Sequence, residues 1–466
     1  MKAVRIEAKR ILDRDFHDDA YLHDVAVMKR AAEYWTLDAS FQAAYREDPA
    51  GTLSRYGLDV DPASADLLLL NPPTYDDHPE PALLAALPLS YLRYCAFMEE
   101  KLRLRKQLQV EKCEPDHRAF AAWRIRQRKR CRMEIGAAAE GMIHAPIVFE
   151  LSSGCSVGCP FCGLASEKLK SVFRYTQENA ELWRKLLQIS HDLFGDAAGC
   201  GSCYYACEPL DNPDYERFLE DYLREFGQVP QTTTAVATRN TERTRRLLRW
   251  GQAACPHIDR FSVLSEEIRD EIFRSFTPEE LANVELLPQF PEAPANNFVK
   301  AGRNRDSEGE DNNGTIACTS GFIVNLPDRT VRLTTPCLPD DLHPTGEILS
   351  ERIPFTDVEA YKKLLLDMIS RYMPEKPDLS GRFRLRPGTR LVCSDGVASV
   401  AGPRLQFPIE IPGISGEAIA SLDRPLTTED GSIGYDMIAE LCERYGTNSA
   451  YAIFAFTQIW QMGVIE

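Results

Sequence analysis

Glu150-Leu-Ser-Ser-Gly-Cys-Ser-Val-Gly-Cys-Pro-Phe-Cys-Gly163 directly follows the apolar run Ala145 to Phe149 and spaces Cys155, Cys159 and Cys162 by four and three residues. Thiolates at that spacing on one short loop can converge on a soft metal centre. Three of them are one fewer than a closed four-thiolate iron-sulfur site needs, so one iron is left open. Gly154, Gly158 and Gly163 let such a loop fold tightly around a cluster, and Phe161 can shield it from water. A CxxC pair alone also suits a zinc knuckle or a thioredoxin-type redox pair. A closed zinc site, however, wants a fourth Cys or His at companion spacing, and His144 and His191 are poor candidates.

The chain has 466 residues, enough for a large core and more than one domain. No apolar run approaches the roughly 20 residues of a membrane span, and Met1-Lys-Ala-Val-Arg-Ile-Glu-Ala-Lys-Arg10 lacks the apolar stretch of a signal peptide, so a cytoplasmic protein with no membrane partner is expected. Fourteen cysteines in that compartment point to reduced thiols and metal ligation. A net charge of -16 argues against nucleic acid, whose phosphates the overall field repels.

Residues 18 to 70 read as a small helical unit broken at Asp48-Pro49 and Gly57. Its Asp-Pro break and Tyr56-Gly-Leu-Asp59 ending resemble the leader peptides of nitrile-hydratase-like precursors. A polar connection from Asn71 to Pro81 precedes long helical patterns from Leu87 to Gly141. Six basic residues crowd Arg118 to Arg130 there, and a solvated face is the expected reading.

From Ile147 to Leu333 short apolar runs alternate with amphipathic ones, the pattern of βα units and a parallel sheet. The expected strands are Ile147 to Leu151, Ser202 to Ala206, Thr232 to Ala237, Arg260 to Leu264, Val284 to Leu287 and Thr315 to Thr319, followed by a hairpin turning at Pro327-Asp328. The fold class expected is α/β: a helical N-terminal region (1–140), a partial TIM-like barrel (141–345) and a small α+β, winged-helix-like module (346–466). The cysteine loop follows the first strand, at the end where barrels gather their chemistry.

The CxxxCxxC loop, with its aromatic residue before the third cysteine, resembles the radical S-adenosylmethionine (SAM) superfamily. That resemblance implies a (β/α)6 barrel, a [4Fe-4S] cluster on Cys155, Cys159 and Cys162, and SAM on the fourth iron, cleaved reductively to a deoxyadenosyl radical. Tyr205-Ala-Cys-Glu-Pro209 occupies the place of the superfamily's GGEP motif. Its two glycines are replaced by Ala206 and Cys207, and Glu208 remains as a SAM ligand. Thr234 and Ser262 at later strand ends are candidates for the ribose, and Arg303 for the SAM carboxylate.

A closer resemblance lies in Phe149 to Leu164, Phe173-Arg-Tyr-Thr-Gln-Glu-Asn-Ala-Glu-Leu-Trp-Arg184, Pro209 to Tyr215, Gln231-Thr-Thr-Thr-Ala235, Arg260-Phe-Ser-Val-Leu-Ser265 and Ile316-Ala-Cys-Thr-Ser-Gly-Phe322. Together these are similar to the proteusin-type radical SAM epimerases of ribosomally made, modified peptides. Membership implies conversion of L- to D-residues in a precursor peptide, bound through its leader and modified in its core, with electrons from a flavodoxin or ferredoxin. The α-hydrogen is removed on one face and a cysteine thiol returns hydrogen on the other.

Cys337, held between Pro336 and Pro339 on a non-helical loop, is the expected donor; Cys318, in an apolar stretch, reads as a small core residue or as the second candidate. Cys200, Cys203 and Cys207 repeat the spacing in reverse, but along a strand their thiols alternate between faces. An auxiliary cluster on Cys318, Cys337, Cys393 and Cys442 is an alternative. So are a maturase forming thioether or carbon-carbon crosslinks and a non-catalytic precursor-binding scaffold.

Overall fold

Aspartates start each of the first four helices. Asp18 caps α1 (Asp19–Leu37), Asp38 caps α2 (Ala39–Glu47), Asp48 caps α3 (Pro49–Arg55) and Asp61 caps α4 (Pro62–Leu69), each carboxylate accepting from first-turn amides. Pro49 and Pro62 stand in the first turn, where a missing N–H costs nothing. The computed structural model describes residues 18–71, 87–108, 112–296, 298–307 and 314–465, so most of the connection from Asn71 to Pro81 lies outside the described residues. Phe41, Tyr45, Leu53, Ala65 and Leu69 form a separate small core for this unit.

Helices α5 (Leu89–Lys106) and α6 (Arg118–Ile135) follow. The solvated basic face expected for α6 is corrected: Arg124, Arg126 and Arg130 are buried. Arg124 donates to the carbonyls of His144 and Ile143, Arg126 to that of Pro374, and Arg130 to that of Pro336. A guanidinium with five donors can be buried where backbone acceptors meet it, and three different segments bring theirs to this helix.

Strand β1 (Ala145–Glu150) is buried throughout. It leads through the two-residue strands β2 (Ser152–Ser153) and β3 (Ser171–Val172), which pair with each other and bracket the cysteine loop. Helices α7 (Gln177–Phe194) and α8 (Tyr215–Phe226) follow, then β4 (Thr233–Thr234), α9 (Thr241–Ala254), β5 (Asp259–Val263), α10 (Glu266–Ser275) and β6 (Val284–Pro288). Strands β4, β5 and β6 are parallel neighbours. Strand β7 (Thr319–Asn325) runs parallel to β1 and turns back antiparallel as β8 (Thr330–Pro336), the expected hairpin; β9 (Glu347–Leu349), β10 (Ile353–Pro354) and α11 (Val358–Tyr372) complete this part.

The architecture is mixed α/β, but two expected strands are corrected. Ser202 to Ala206 runs beside β1, with the Phe149 amide donating to the Ser202 carbonyl at 2.9 Å, and forms no ladder. Ser202 Oγ takes the Tyr204 carbonyl at 2.6 Å, a group a ladder would use. Thr315 to Thr319 is also irregular before its last residue, because Thr315 Oγ1 accepts the Ala317 amide in a local turn. Strand β4 is short for the same kind of reason, since Asp259, Glu208 and Thr234 side chains take the amides of Thr232, Ala235 and Val236. Apart from the two-residue β2–β3 pair, the ladders between β1 and β10 among the described residues thus form two groups, β1 with β7 to β10 and β4 to β6, with the 201–208 segment alongside β1.

Residues on alternate faces of β1 divide the interior. Ile147, Phe149 and Leu151 pack outward with Trp183, Leu186 and Phe218 of the helical layer, while Ala145 and Val148 pack with Ile323 and Tyr205. The C-terminal part has a β-meander, β12 (Arg390–Ser394), β13 (Val397–Ala401) and β14 (Gln406–Ile409), and a short pair, β11 (Arg382–Phe383) with β15 (Ser432–Ile433). Helices α12 (Gly416–Ser421), α13 (Asp423–Leu426), α14 (Gly434–Tyr445) and α15 (Ser449–Gln461) cover them. This core includes Met133 of α6. Among the described residues no helix is long and apolar enough to cross a membrane.

One buried titratable pair sits behind β4 and β5. His257 Nε2 stands 3.1 Å from Asp259 Oδ2, and Asp259 Oδ1 accepts the Thr232 amide. Burial alone would lower the His257 pKa, but the Asp259 charge and two hydrogen-bonding neighbours outweigh it and raise it well above the ordinary value. A raised folded-state pKa gives stability that is complete below the unfolded pKa and is lost as pH rises through the folded one. Urea melts of the wild type and of His257→Gln are therefore expected to differ most near pH 6 and to converge in alkaline solution; a constant gap would refute the linkage.

Candidate active site

The cysteine loop is held from three sides. Cys155 donates its amide to the Glu167 carbonyl at 2.9 Å, and its own carbonyl accepts from Leu169 at 3.1 Å. Gly154 makes that approach possible: its φ is +84°, and a Cβ there would stand 2.2 Å from the Lys168 carbonyl oxygen. On one flank Asp211 accepts from the Ser156 amide at 2.8 Å and from its hydroxyl at 2.5 Å, with Arg239 closing the group at 3.2 Å. On the other flank the Arg303 amide donates to Cys162, and its guanidinium donates to the carbonyls of Cys159 and Ser166. Arg303 was expected to meet a SAM carboxylate; its guanidinium instead staples the loop.

Gly302 explains how Arg303 comes so near. Its φ is +59°, and a Cβ would lie 2.4 Å from the carbonyl oxygens of both Cys162 and Gly163. Gly302→Ala is expected to cost about 1–3 kcal/mol in chemical denaturation and to raise proteolysis within 154–166, since the loop must move away or the residue strain. Cleavage and melting unchanged from wild type would show that the approach is not needed.

The three thiols are partly exposed. Cys159 is pushed up to about 11, first by burial and then by the charges of Cys162 and Cys155, so the trio stands within electrostatic reach of one another. Burial raises Cys155 above its ordinary value, with the amides of Val157 and Gly158 bonding to it and opposing the shift. Among the described residues no three His, Cys, Asp or Glu side chains stand close enough to share one metal ion. A cubane cluster asks less of them, because each thiolate binds its own iron. Ser152 adds an observation that suits a polar group nearby: its hydroxyl is buried without a partner among the described residues, and it shares the β1 face of Glu150 by alternation. Phe161 packs against Phe298 in a tilted arrangement with ring centroids 4.7 Å apart, at the edge of the same loop.

Glu208 is buried and accepts from Thr234 Oγ1 at 2.7 Å, the Ala235 amide at 2.9 Å and the Leu210 amide at 3.0 Å. Burial raises its carboxyl above the usual range, with these donors opposing. Its charge reaches Cys155, which brings the acid and the loop to one place. Thr234 touches this carboxylate and does not open onto the interior: by register Thr233 pairs with Arg260, and Thr233 bonds Tyr204 at 2.6 Å. Ser262 shares the Arg260 face and is half-buried. Glu150 ties the end of β1 to its neighbours, accepting from the Ala206 amide and from Asn325.

Tyr204, Tyr205, Cys207 and Cys318 are all reached by solvent, yet burial is the largest influence on each. Tyr204 and Tyr205 both stand within electrostatic reach of Cys318. Tyr205 donates to Glu347, which also accepts from Thr334 at 3.0 Å.

The two expected donor thiols exchange places. Cys318 is exposed and lies just before β7, two residues after Ile316, whose side chain meets Gly163 of the cysteine loop. Cys337 is fully buried beside Arg130 and is pushed up to about 12 by burial. Its prolines fix the backbone, but α6 covers the side chain. Cys200, Cys203 and Cys207 diverge: Cys200 contacts Cys113, Cys203 is in the helical core, and Cys207 neighbours Cys155. Cys393 and Cys442 belong to the C-terminal part, on β12 and α14.

Fold and loop together define a mixed α/β protein carrying a three-cysteine loop at the end of its first sheet strand. No protein-family profile matches the chain. Over 380 residues it is 38% identical to the uncharacterized protein y4wI of Sinorhizobium fredii, a span of 77% of this chain and 72% of that one, and it belongs to the same family. Among solved structures, BtrN in complex with AdoMet and 2-DOIA is 13% identical at a TM-score of 0.29, over 48% of this chain and 81% of that chain.

Proposed function

We propose that this protein is a radical SAM peptide epimerase that inverts L-residues in a ribosomally made precursor. Support comes above all from one juxtaposition: a stapled loop with three partly exposed thiols, and a separate exposed thiol, Cys318, two residues from the Ile316 side chain that meets Gly163 of that loop. Cys155, Cys159 and Cys162 would hold a [4Fe-4S] cluster, and Glu208, positioned by Thr234 and the Ala235 amide, would accept the amino group of SAM. When bound, cluster and SAM supply one-electron abstraction of hydrogen from carbon.

The chain's own part is to hold the peptide and to return hydrogen. Cys318 is raised above its ordinary pKa, so it carries its S–H at neutral pH, the form that donation needs. Its S–H bond breaks as a C–H bond forms on the face of the planar α-carbon opposite to the abstraction. The sulfur is left one electron short, and a proton with one electron from a ferredoxin- or flavodoxin-type donor restores it. The C-terminal α+β part is assigned to the precursor leader, and the reduced thiols suit a cytoplasmic setting.

The test uses anaerobically reconstituted protein, SAM, a reductant and the peptide encoded beside its gene, in D2O. One deuterium gained per D-residue supports epimerisation. Loss of two hydrogens would replace it by crosslinking, and absence of 5'-deoxyadenosine would leave a binding scaffold.

A further inference from the structure

Lys101 of α5, Arg260 of β5 and Glu285 of β6 form one ionic group, with Tyr204 and Cys318 in the electrostatic neighbourhood of Arg260. Lys101 Nζ stands 2.9 Å from Glu285 Oε1, and Arg260 Nε stands 3.0 Å from Glu285 Oε2. Two positive charges thus face one negative charge. Neighbouring acids do not cancel the surplus: Asp259 is paired with His257, and burial raises the Glu347 carboxyl towards its neutral form. Glu285 itself stays charged, because Lys101 and Arg260 outweigh its burial and hold it at about 2.

Arg260 uses only Nε in this group. Among the described residues its two Nη atoms have no hydrogen-bond partner, and 35% of its side chain is reachable by solvent. The guanidinium is also the strongest charged neighbour of Cys318, and Tyr204 lies beside both. A planar edge with spare donors, excess positive charge and limited hydration suits the two oxygens of a carboxylate.

We infer that the Nη edge of Arg260 is a carboxylate-binding site, and that its ligand is an acidic group of the peptide substrate, which it seats against Cys318. The carboxylate assignment is independent of the epimerase reading; only the peptide as its bearer rests on it.

Alkylation of Cys318, read by peptide mass spectrometry on the full-length protein without cluster or SAM, tests the site. Iodoacetate carries the proposed ligand group and iodoacetamide does not. The ratio of iodoacetate to iodoacetamide rates at Cys318 is expected to fall about tenfold in Arg260→Gln, the scale of losing one nearby charge in a partly buried site. It should stay near wild type in Arg260→Lys and rise in Glu285→Gln, a control that keeps the test valid should one variant fold poorly. A ratio unchanged in both Arg260→Gln and Glu285→Gln would overturn the site. N-acetyl-glutamate amide, but not N-acetyl-glutamine amide, is expected to protect Cys318 from iodoacetamide. Protection by SAM with none by the acidic compound would keep the carboxylate site and remove the peptide as its bearer.

Discussion

Cys318→Ala is expected to leave 5'-deoxyadenosine formation in place and to lower D-residue formation by at least about a hundredfold, the low end of what removing a proton-transferring group costs. The expectation rests on position and protonation together. Cys318 is exposed to the space beside the cysteine loop and keeps its S–H, whereas Cys337 lies under α6 with no solvent access. Cys337→Ala is therefore expected to cost stability through a small cavity and to leave the stereochemical outcome unchanged. Chiral analysis of the hydrolysed peptide, run beside deoxyadenosine quantification, separates the two variants. D-residues surviving in Cys318→Ala but vanishing in Cys337→Ala would reverse the assignment.

The sequence carried local information faithfully and long-range burial poorly. Strands β5 and β6 follow from short apolar runs, and the structure shifts their ends by only a residue. Alternation along Asp259–Val263 already put Arg260 and Ser262 on one face, a signal sufficient to find Arg260. The two missing strands fail for a reason invisible to periodicity: Ser202 and Thr315 side chains take backbone groups that a ladder would use. Cys337 sits among prolines, which predicts rigidity but says nothing of a helix two hundred residues earlier in the chain. Arg303 reads in the sequence as a partner for a SAM carboxylate because nothing there shows that its partners are carbonyls of the loop itself, and Arg124 and Arg130 looked solvated because theirs are carbonyls of distant segments.

Glu134→Ala is expected to lower stability by about 3–5 kcal/mol, the cost of leaving buried cations without their counter-ion. Glu134 Oε2 accepts from Arg130 Nη1 at 2.8 Å and from the Leu338 amide at 3.4 Å, while Oε1 accepts from Arg386 Nε at 3.2 Å; all three ionic side chains are at least nine-tenths buried. Its position makes the loss more than local. Helix α6 contributes Phe120 and Trp123 to the core behind β1 and Met133 to the core of the C-terminal part, and Arg386 belongs to the latter. The carboxylate therefore joins two hydrophobic cores through one helix. Urea unfolding followed by hydrogen exchange in both parts is expected to show protection falling in each. A loss confined to the C-terminal residues would mean that α6 is held by its apolar contacts alone. Arg130→Met with Glu134→Leu should recover part of the loss seen in Glu134→Ala, because an apolar pair needs no counter-ion, with the remaining deficit set by Arg386.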